Sequence, residues 1–257
     1  MNSTKGQSRC RKPSWKDYLR MVDAVHREYA IEHVDFRIDE NNNIIGVYLD
    51  NEESLLDRVL VLQNMNAAYL KVYHNKGAGG VDDMDVGEML HYLQKNQEVL
   101  LKSIREGKYK PNPVRRVEIP KDEPGKVRKL GIPTVIDRMV QQAIAQVLVP
   151  IYEGAFSEYS YGFRPGRNGH MALKQLQEYV NEGYVYVVDM DLEKYFDTVT
   201  HSKLMQVLSE TIKDGPLLSL INKYLNAGAI VNGMFERTDE CSCTASCDRA
   251  SDYGIMG

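Results

Sequence analysis

The stretch "YVYVVDMDLEKYFDTV", Tyr184–Val199, decides how the rest of this chain is read. Gly183 precedes a run of strand composition, and Asp189, Asp191, Glu193 and Asp197 crowd onto its end. Carboxylates this close repel one another unless a cation or the solvent absorbs the charge. Side chains alternate along a strand, so the reading predicts Asp189 and Asp191 on one side of it. A carboxylate pair at the C-terminal end of a strand suits magnesium, which takes hard oxygens from one or two acids plus substrate phosphates. The plain alternative is an acidic strand end facing solvent.

Two reaction classes use such a pair. One is phosphoryl transfer through an aspartyl-phosphate, as in haloacid-dehalogenase-like phosphatases, whose pattern places Thr or Val where this chain has Glu193 and lies early in the chain. The other is nucleotidyl transfer with two metal ions, which wants an aromatic five residues after the acid, under the nucleotide sugar. Asp191 and Phe196 have that spacing, with Tyr195 alongside.

Working outward, hydrophobic period and turn residues predict an α+β chain. "WKDYLRMVDAVHREYAIEH" reads as a helix, and "VDFRIDENNNIIGVYLD" as a hairpin about an Asn-rich turn. Leu55, Leu56, Val59, Leu62, Met65 and Tyr69 follow one helical period, closed by Gly77, Gly79 and Gly80. "VGEMLHYLQKNQEVLLKSIREGKY" is a second helix of this region. "PVRRVEIPKDEPGKVRKLGIP" reads as two β-rich runs about a Glu-Pro-Gly turn, with Lys121 and Arg128 on its arms. "VIDRMVQQAIAQVLVPIYEGAF" and "HMALKQLQEYVNEG" are amphipathic helices, and further helices are expected at about 201–212 and 215–226.

The chain has 257 residues, 43% of them hydrophobic and 26% charged, which suits one large or two small domains with a real core. No apolar run approaches the roughly 18 residues of a membrane span, and the basic N-terminus has no apolar segment of a secretory signal. A cytoplasmic setting and no membrane partner are expected. Cys10, Cys241, Cys243 and Cys247 are poorly spaced for a disulfide framework. A net charge of −4 hides an uneven distribution. Residues 31–58 hold eight acids and two bases, whereas residues 105–138 hold ten bases and five acids. Counterion release is local, so such a basic stretch can hold a phosphate backbone even on an acidic protein; a solvated charged surface is the alternative.

Several stretches together carry a resemblance. "VVDMDLEKYFDTVTHSKLM" resembles motif A of the reverse transcriptases encoded by bacterial group II introns. "AAYLKVYHNKGAGGVDDM" is similar to the loop that this family closes over the template. The segment from "YKPNPVRRVEIPKDEPGKVRKLGIP" through "SEYSYGFRPGRNGHMAL" resembles its fingers, and "TIKDGPLLSLINKYLNAG" the helix and turn after motif A. The likeness covers about residues 55–240. It implies a right-hand polymerase, with mainly helical fingers, a β-hairpin and the beginning of a palm sheet. The implied divisions are an N-terminal extension at 1–54, fingers at 55–182, a partial palm at 183–240 and an aberrant tail at 241–257.

The resemblance also implies roles. Asp191 would be the catalytic metal ligand, with the Leu192 carbonyl as a further oxygen for Mg2+. Phe196 would occupy the space of a ribose 2′-hydroxyl and so favour deoxynucleoside triphosphates. Lys121 and Arg128 would grip the triphosphate, Arg as a fork and Lys as a point charge. Arg115, Arg116, Arg138, Arg164 and Arg167 would track the nucleic-acid backbone, with Tyr161 and Phe163 placed for stacking. For Phe163 and Arg164 a place in the core and an internal ion pair are the competing readings. The implied partners are RNA, as group II intron RNA or template–primer, and deoxynucleoside triphosphates.

The departures set further expectations. After "ERTDE" the family pattern has Gly-x-Pro-Gln-Gly-Gly and later Tyr-x-Asp-Asp, where this chain has "CSCTASCDRASDYGIMG". A frameshift or truncated gene would explain that tail. The chain as given is then expected not to polymerise, to expose an uncovered apolar face near 184–190, and to self-associate. A non-catalytic module that binds RNA and assists intron folding is the second reading.

Overall fold

The computed structural model describes residues 54–120, 127–192 and 195–237, with two strand segments at 35–38 and 44–48. In chain order the elements are β1 (Asp35–Ile38), β2 (Ile44–Tyr48), α1 (Leu55–Leu60), α2 (Leu62–Asn75), α3 (Met89–Arg105), β3 (Val114–Pro120), β4 (Val127–Ile132), α4 (Val135–Glu153), α5 (Gly169–Asn181), α6 (Tyr195–Thr198), α7 (His201–Thr211), α8 (Gly215–Leu225), β5 (Ala229–Val231) and β6 (Met234–Glu236). The chain is α+β as expected. The helix expected before residue 34 and the cysteine-rich tail lie outside the described residues.

Helix α4 is the centre of the core. It carries its apolar residues around most of its girth, and Val135, Ile136, Met139, Val140, Ala143, Ile144, Val147 and Ile151 are all buried. It packs chiefly on α1 and α2. Met89, Leu100 and Ile104 of α3 and Leu217 and Leu220 of α8 complete the cluster. A fully buried aliphatic side chain contributes about 1.5–3 kcal/mol, so this cluster dominates the stability of the chain.

The single helix expected from residue 55 onward is broken at Val61, whose φ of −59° and ψ of 138° leave the helical region. The break lets Leu56, Val59 and Leu60 be buried as well as Met65, Ala68 and Val72. It strands backbone acceptors that the fold then satisfies. The buried Asn64 amide donates to the Val59 carbonyl at 2.9 Å and to the Ala143 carbonyl of α4 at 3.1 Å. Gln146 donates in turn to Asn64 Oδ1 at 2.6 Å. Asp214 joins two helix starts with one carboxylate. It accepts from the Leu56 N–H at 2.9 Å and caps α8 through the Leu217 N–H at 2.8 Å.

Both expected hairpins form. β1 pairs antiparallel with β2. β3 pairs antiparallel with β4, from Arg115 opposite Ile132 to Pro120 opposite Val127. β5 and β6 are strands beyond those expected from the sequence. β5 joins β3 in parallel through Val114–Ala229 and Arg115–Ile230, and β6 folds back on β5, giving the order β4-β3-β5-β6.

The strand expected at 184–188 does not form. Val185, Tyr186 and Val188 are 80%, 94% and 79% exposed. A strand exists by hydrogen-bonding to a neighbour, and none runs beside this segment among the described residues. The reading that placed Asp189 and Asp191 on one face of a strand falls with it, while the uncovered apolar face is as expected.

Candidate nucleic-acid interface

The basic hairpin is rooted on the first turn of α4. Thr134 caps that helix, accepting from the Asp137 N–H at 3.2 Å and donating its hydroxyl to Asp137 Oδ2 at 2.7 Å. Asp137 is 1% exposed. Its carboxylate also accepts from the Tyr109 hydroxyl at 2.7 Å and from the Asn112 backbone and side-chain N–H groups at 3.1 and 3.2 Å. Asn112 lies two residues before β3, so a buried acid fixes where the hairpin leaves the core. Burial, reinforced by the Asp137 charge, pushes the Tyr109 hydroxyl well above its usual range and keeps it a donor. Neither Asp137 nor Thr134 was singled out from the sequence, although Thr-x-x-Asp before an apolar run is a capping signature.

The next residue, Arg138, does a similar job for the glycine loop. It was read as a contact to the nucleic-acid backbone. Its guanidinium donates to the Ala78 carbonyl at 2.8 Å and to the Lys76 carbonyl at 3.3 Å. Gly77, at φ +103°, leaves room for it, since a Cβ there would lie 2.7 Å from Arg138 Nη1. Gly80 lets the loop lie against the start of α4, where a Cβ would come within 2.6 Å of Thr134 Cα. Lys76 itself holds φ 55° and ψ −138°, which glycine adopts far more readily. Arg115 of β3 closes the arrangement with an ion pair to Asp83 at 3.3 Å. Arg116 is half-exposed on the same strand. The hairpin and the glycine loop are thus both anchored on α4 and tied to each other. Lys121 lies outside the described residues. Arg128 is placed by its backbone alone, opposite Ile119.

The loop after α4 divides the "SYGFRPGR" residues into two kinds. Arg164, read as a nucleic-acid contact, is corrected to an internal brace. Its side chain is 3% exposed and reaches Glu153 Oε1 at 3.0 Å through Nε and 2.7 Å through Nη2. It also donates to the carbonyls of Ser157 and Ser160, and its guanidinium lies 5.3 Å from the Phe156 ring centroid. A guanidinium has five donors in a fixed fork, and a buried one must find acceptors for them. Phe163 is the reverse of a core residue: it is 67% exposed. Arg167 lies over the Tyr161 ring at 5.6 Å and donates to the Glu158 carbonyl at 3.0 Å.

Asp189, Asp191 and Leu192 are exposed on the unpaired segment. Phe196 falls in α6, where only its backbone is described. The donors here are hard oxygens, the right type for magnesium. Their number is short, because no group of three or more His, Cys, Asp or Glu converges among the described residues. No described helix is long and apolar enough to cross a membrane.

Residues 119–245 match the family described as reverse transcriptase (RNA-dependent DNA polymerase). The group II intron-encoded protein LtrA of Lactococcus lactis subsp. cremoris is 37% identical over 174 residues, which cover 66% of this chain and 28% of LtrA. Protein YkfC of Escherichia coli (strain K12) is 38% identical over 172 residues, covering 65% of this chain and 45% of YkfC. A putative COX1/OXI3 intron 2 protein of Saccharomyces cerevisiae is 34% identical over 218 residues, covering 82% and 25%. The chain spans less than half the length of each of these relatives. With the reverse transcriptase segment lying across the hairpin, α4 and the acidic stretch, the chain belongs to the family of group II intron-encoded reverse transcriptases and maturases.

Proposed function

We propose that this chain supplies the RNA-binding fingers and the first catalytic acid of an RNA-directed DNA polymerase that also serves as an intron maturase. One observation carries the reading: the basic hairpin and the glycine loop are fixed to one buried turn of α4 by Asp137 and Arg138. A cationic surface held in place loses less side-chain and loop freedom when a phosphate backbone docks on it. Arg115 and Arg116 contact that backbone, which is group II intron RNA or a template–primer. Arg167, stacked on Tyr161, supports the neighbouring stretch. Lys121 and Arg128 hold the triphosphate of a deoxynucleotide, and Phe196 excludes a 2′-hydroxyl.

A divalent cation, Mg2+, supplies charge neutralisation at the reacting phosphate when bound, and Asp191 with the Leu192 carbonyl contributes to holding it. These oxygens fit its chemistry but are too few to hold a pair of ions, so further carboxylates have to join them. On this reading residues 55–182 are fingers and residues 183–240 begin the palm. The apolar side chains of 184–188 take up a further strand of the palm sheet, and when that strand is missing they drive self-association.

The test is equilibrium binding of a structured RNA stem-loop by fluorescence anisotropy. Binding that Arg115→Ala with Arg116→Ala weakens and Asp191→Ala leaves unchanged is the expected result. No RNA binding at low salt would overturn the proposal. Primer extension on an RNA template, with magnesium or manganese, separates the polymerase from a module that only binds RNA. Extension abolished by Asp191→Ala supports the first, and tight binding without extension the second.

A further inference from the structure

Arg115 and the acid it meets are held in unequal ways. Arg115 sits on an interior strand, opposite Ile132 of β4 on one side and Ile230 of β5 on the other, so its backbone is fixed from both edges. Asp83 sits on a loop. The Gly80 carbonyl accepts from the Asp83 N–H at 3.3 Å and closes a turn. Glycines let that turn pack: a Cβ on Gly79 would lie 2.8 Å from the Asp83 carbonyl carbon, and one on Gly80 would lie 2.6 Å from Thr134 Cα. Asp83 holds φ 54°, in the left-handed region that aspartate and asparagine tolerate best among non-glycine residues. The turn brings Asp83 Oδ1 to Arg115 Nη1 at 3.3 Å. The other acids of this loop have structural work. Asp82 accepts from the Met84 N–H, Asp85 from the Glu88 N–H and Glu88 from the Asp85 N–H. Among the described residues the Asp83 carboxylate has Arg115 alone.

We infer that Asp83 is an internal stand-in for a nucleic-acid phosphate: it occupies Arg115 in the unbound protein and yields it when RNA docks, and so limits RNA affinity. The pair is suited to exchange. The Asp83 side chain is 85% exposed and that of Arg115 36%, and ion pairs this open to water contribute little. Asp83 engages one donor of a guanidinium that carries five, and Arg115 Nε is buried without an acceptor among the described residues. A phosphate can accept two parallel N–H bonds where the carboxylate accepts one. RNA held by the other basic side chains presents that phosphate at high effective concentration. The arginine stays on its strand and the acid gives way. This inference rests on the reading of Arg115 as an RNA contact.

The test measures binding of a structured RNA stem-loop to the full chain by fluorescence anisotropy, at physiological ionic strength, where exposed charges more than about 8 Å apart are largely screened. Asp83→Asn keeps the shape and tolerates the same backbone angle. It should bind RNA about threefold more tightly, with the melting temperature unchanged. The gain should vanish when Arg115→Ala is present and persist when Arg116→Ala is present. Asp82→Asn removes the same charge one residue away and keeps an oxygen for the Met84 N–H, so it should raise affinity by less than Asp83→Asn does. Equal gains from Asp82→Asn and Asp83→Asn, or a gain that survives Arg115→Ala, would reduce the effect to general repulsion and overturn the inference. No gain from Asp83→Asn would overturn it as well, and so would a loss, which would make Asp83 a brace that orients Arg115 for RNA. Those outcomes leave the RNA-binding reading standing. A wild-type chain that binds no RNA would overturn the inference together with that reading.

Discussion

Helices α4 and α5 follow one another in the chain and are both amphipathic, yet twelve of the nineteen residues of α4 are buried and none of the thirteen of α5. α4 is enclosed by α1 and α2, and its polar residues are spent on holding loops and the hairpin. α5 turns Leu173, Leu176 and Val180 outward, beside an extended run in which Val185, Tyr186, Val187 and Val188 are also exposed. Leu176, Tyr179 and Val180 face Tyr184 and Val187 across an open apolar groove. An apolar stripe asks for a partner without supplying one. The first half of the motif region is an internally satisfied scaffold. The second is a surface whose stability and use depend on what is laid against it.

The largest expected effect breaks the scaffold. Glu153→Ala leaves the Arg164 guanidinium buried without its carboxylate and should cost about 3–5 kcal/mol in chemical denaturation. Replacing both, Glu153→Leu with Arg164→Met, should recover most of that loss, since a buried pair is costly mainly when one partner is left alone. A loss below about 1 kcal/mol for the single change would mean that the pair is not the brace described. The opposite is expected on the exposed side. Val185→Thr with Val187→Thr should change stability by no more than about 0.5 kcal/mol. The same pair should reduce self-association in sedimentation velocity, because it removes apolar area from the unpaired segment. A large loss of stability would show that the segment is covered within the chain.

The contrast also explains what could be read from the sequence. The β3–β4 hairpin was legible because both β-rich runs and their Glu-Pro-Gly turn are local, and α3, α4, α7 and α8 were legible from their period. The break at Val61 was not, because it is decided by Asn64 and Gln146 meeting across α2 and α4. Tyr184–Val188 has the composition of a strand, but pairing is a property of two segments. The β5–β6 turn carried a usable signal, since Asn232–Gly233 is the dipeptide favoured where both turn residues take positive φ. For Arg164 the sequence left an internal ion pair and a phosphate contact both open, and only the position of Glu153 eleven residues earlier decides between them. The family was legible from its motifs, whereas the roles of Asp137 and Arg138 as anchors were not. They depend on which loops lie against α4.

The most direct test of the central claim, that the scaffold half presents a fixed cationic surface to RNA, is the salt dependence of binding. For a structured stem-loop, the logarithm of the wild-type association constant should fall linearly and steeply with the logarithm of salt concentration. Arg115→Ala with Arg116→Ala should make that slope shallower by roughly 1.5, the loss of two phosphate contacts, without shifting the melting temperature by more than a few degrees. A wild-type affinity that does not change between low and high salt, or a slope indifferent to both arginines, would contradict the account.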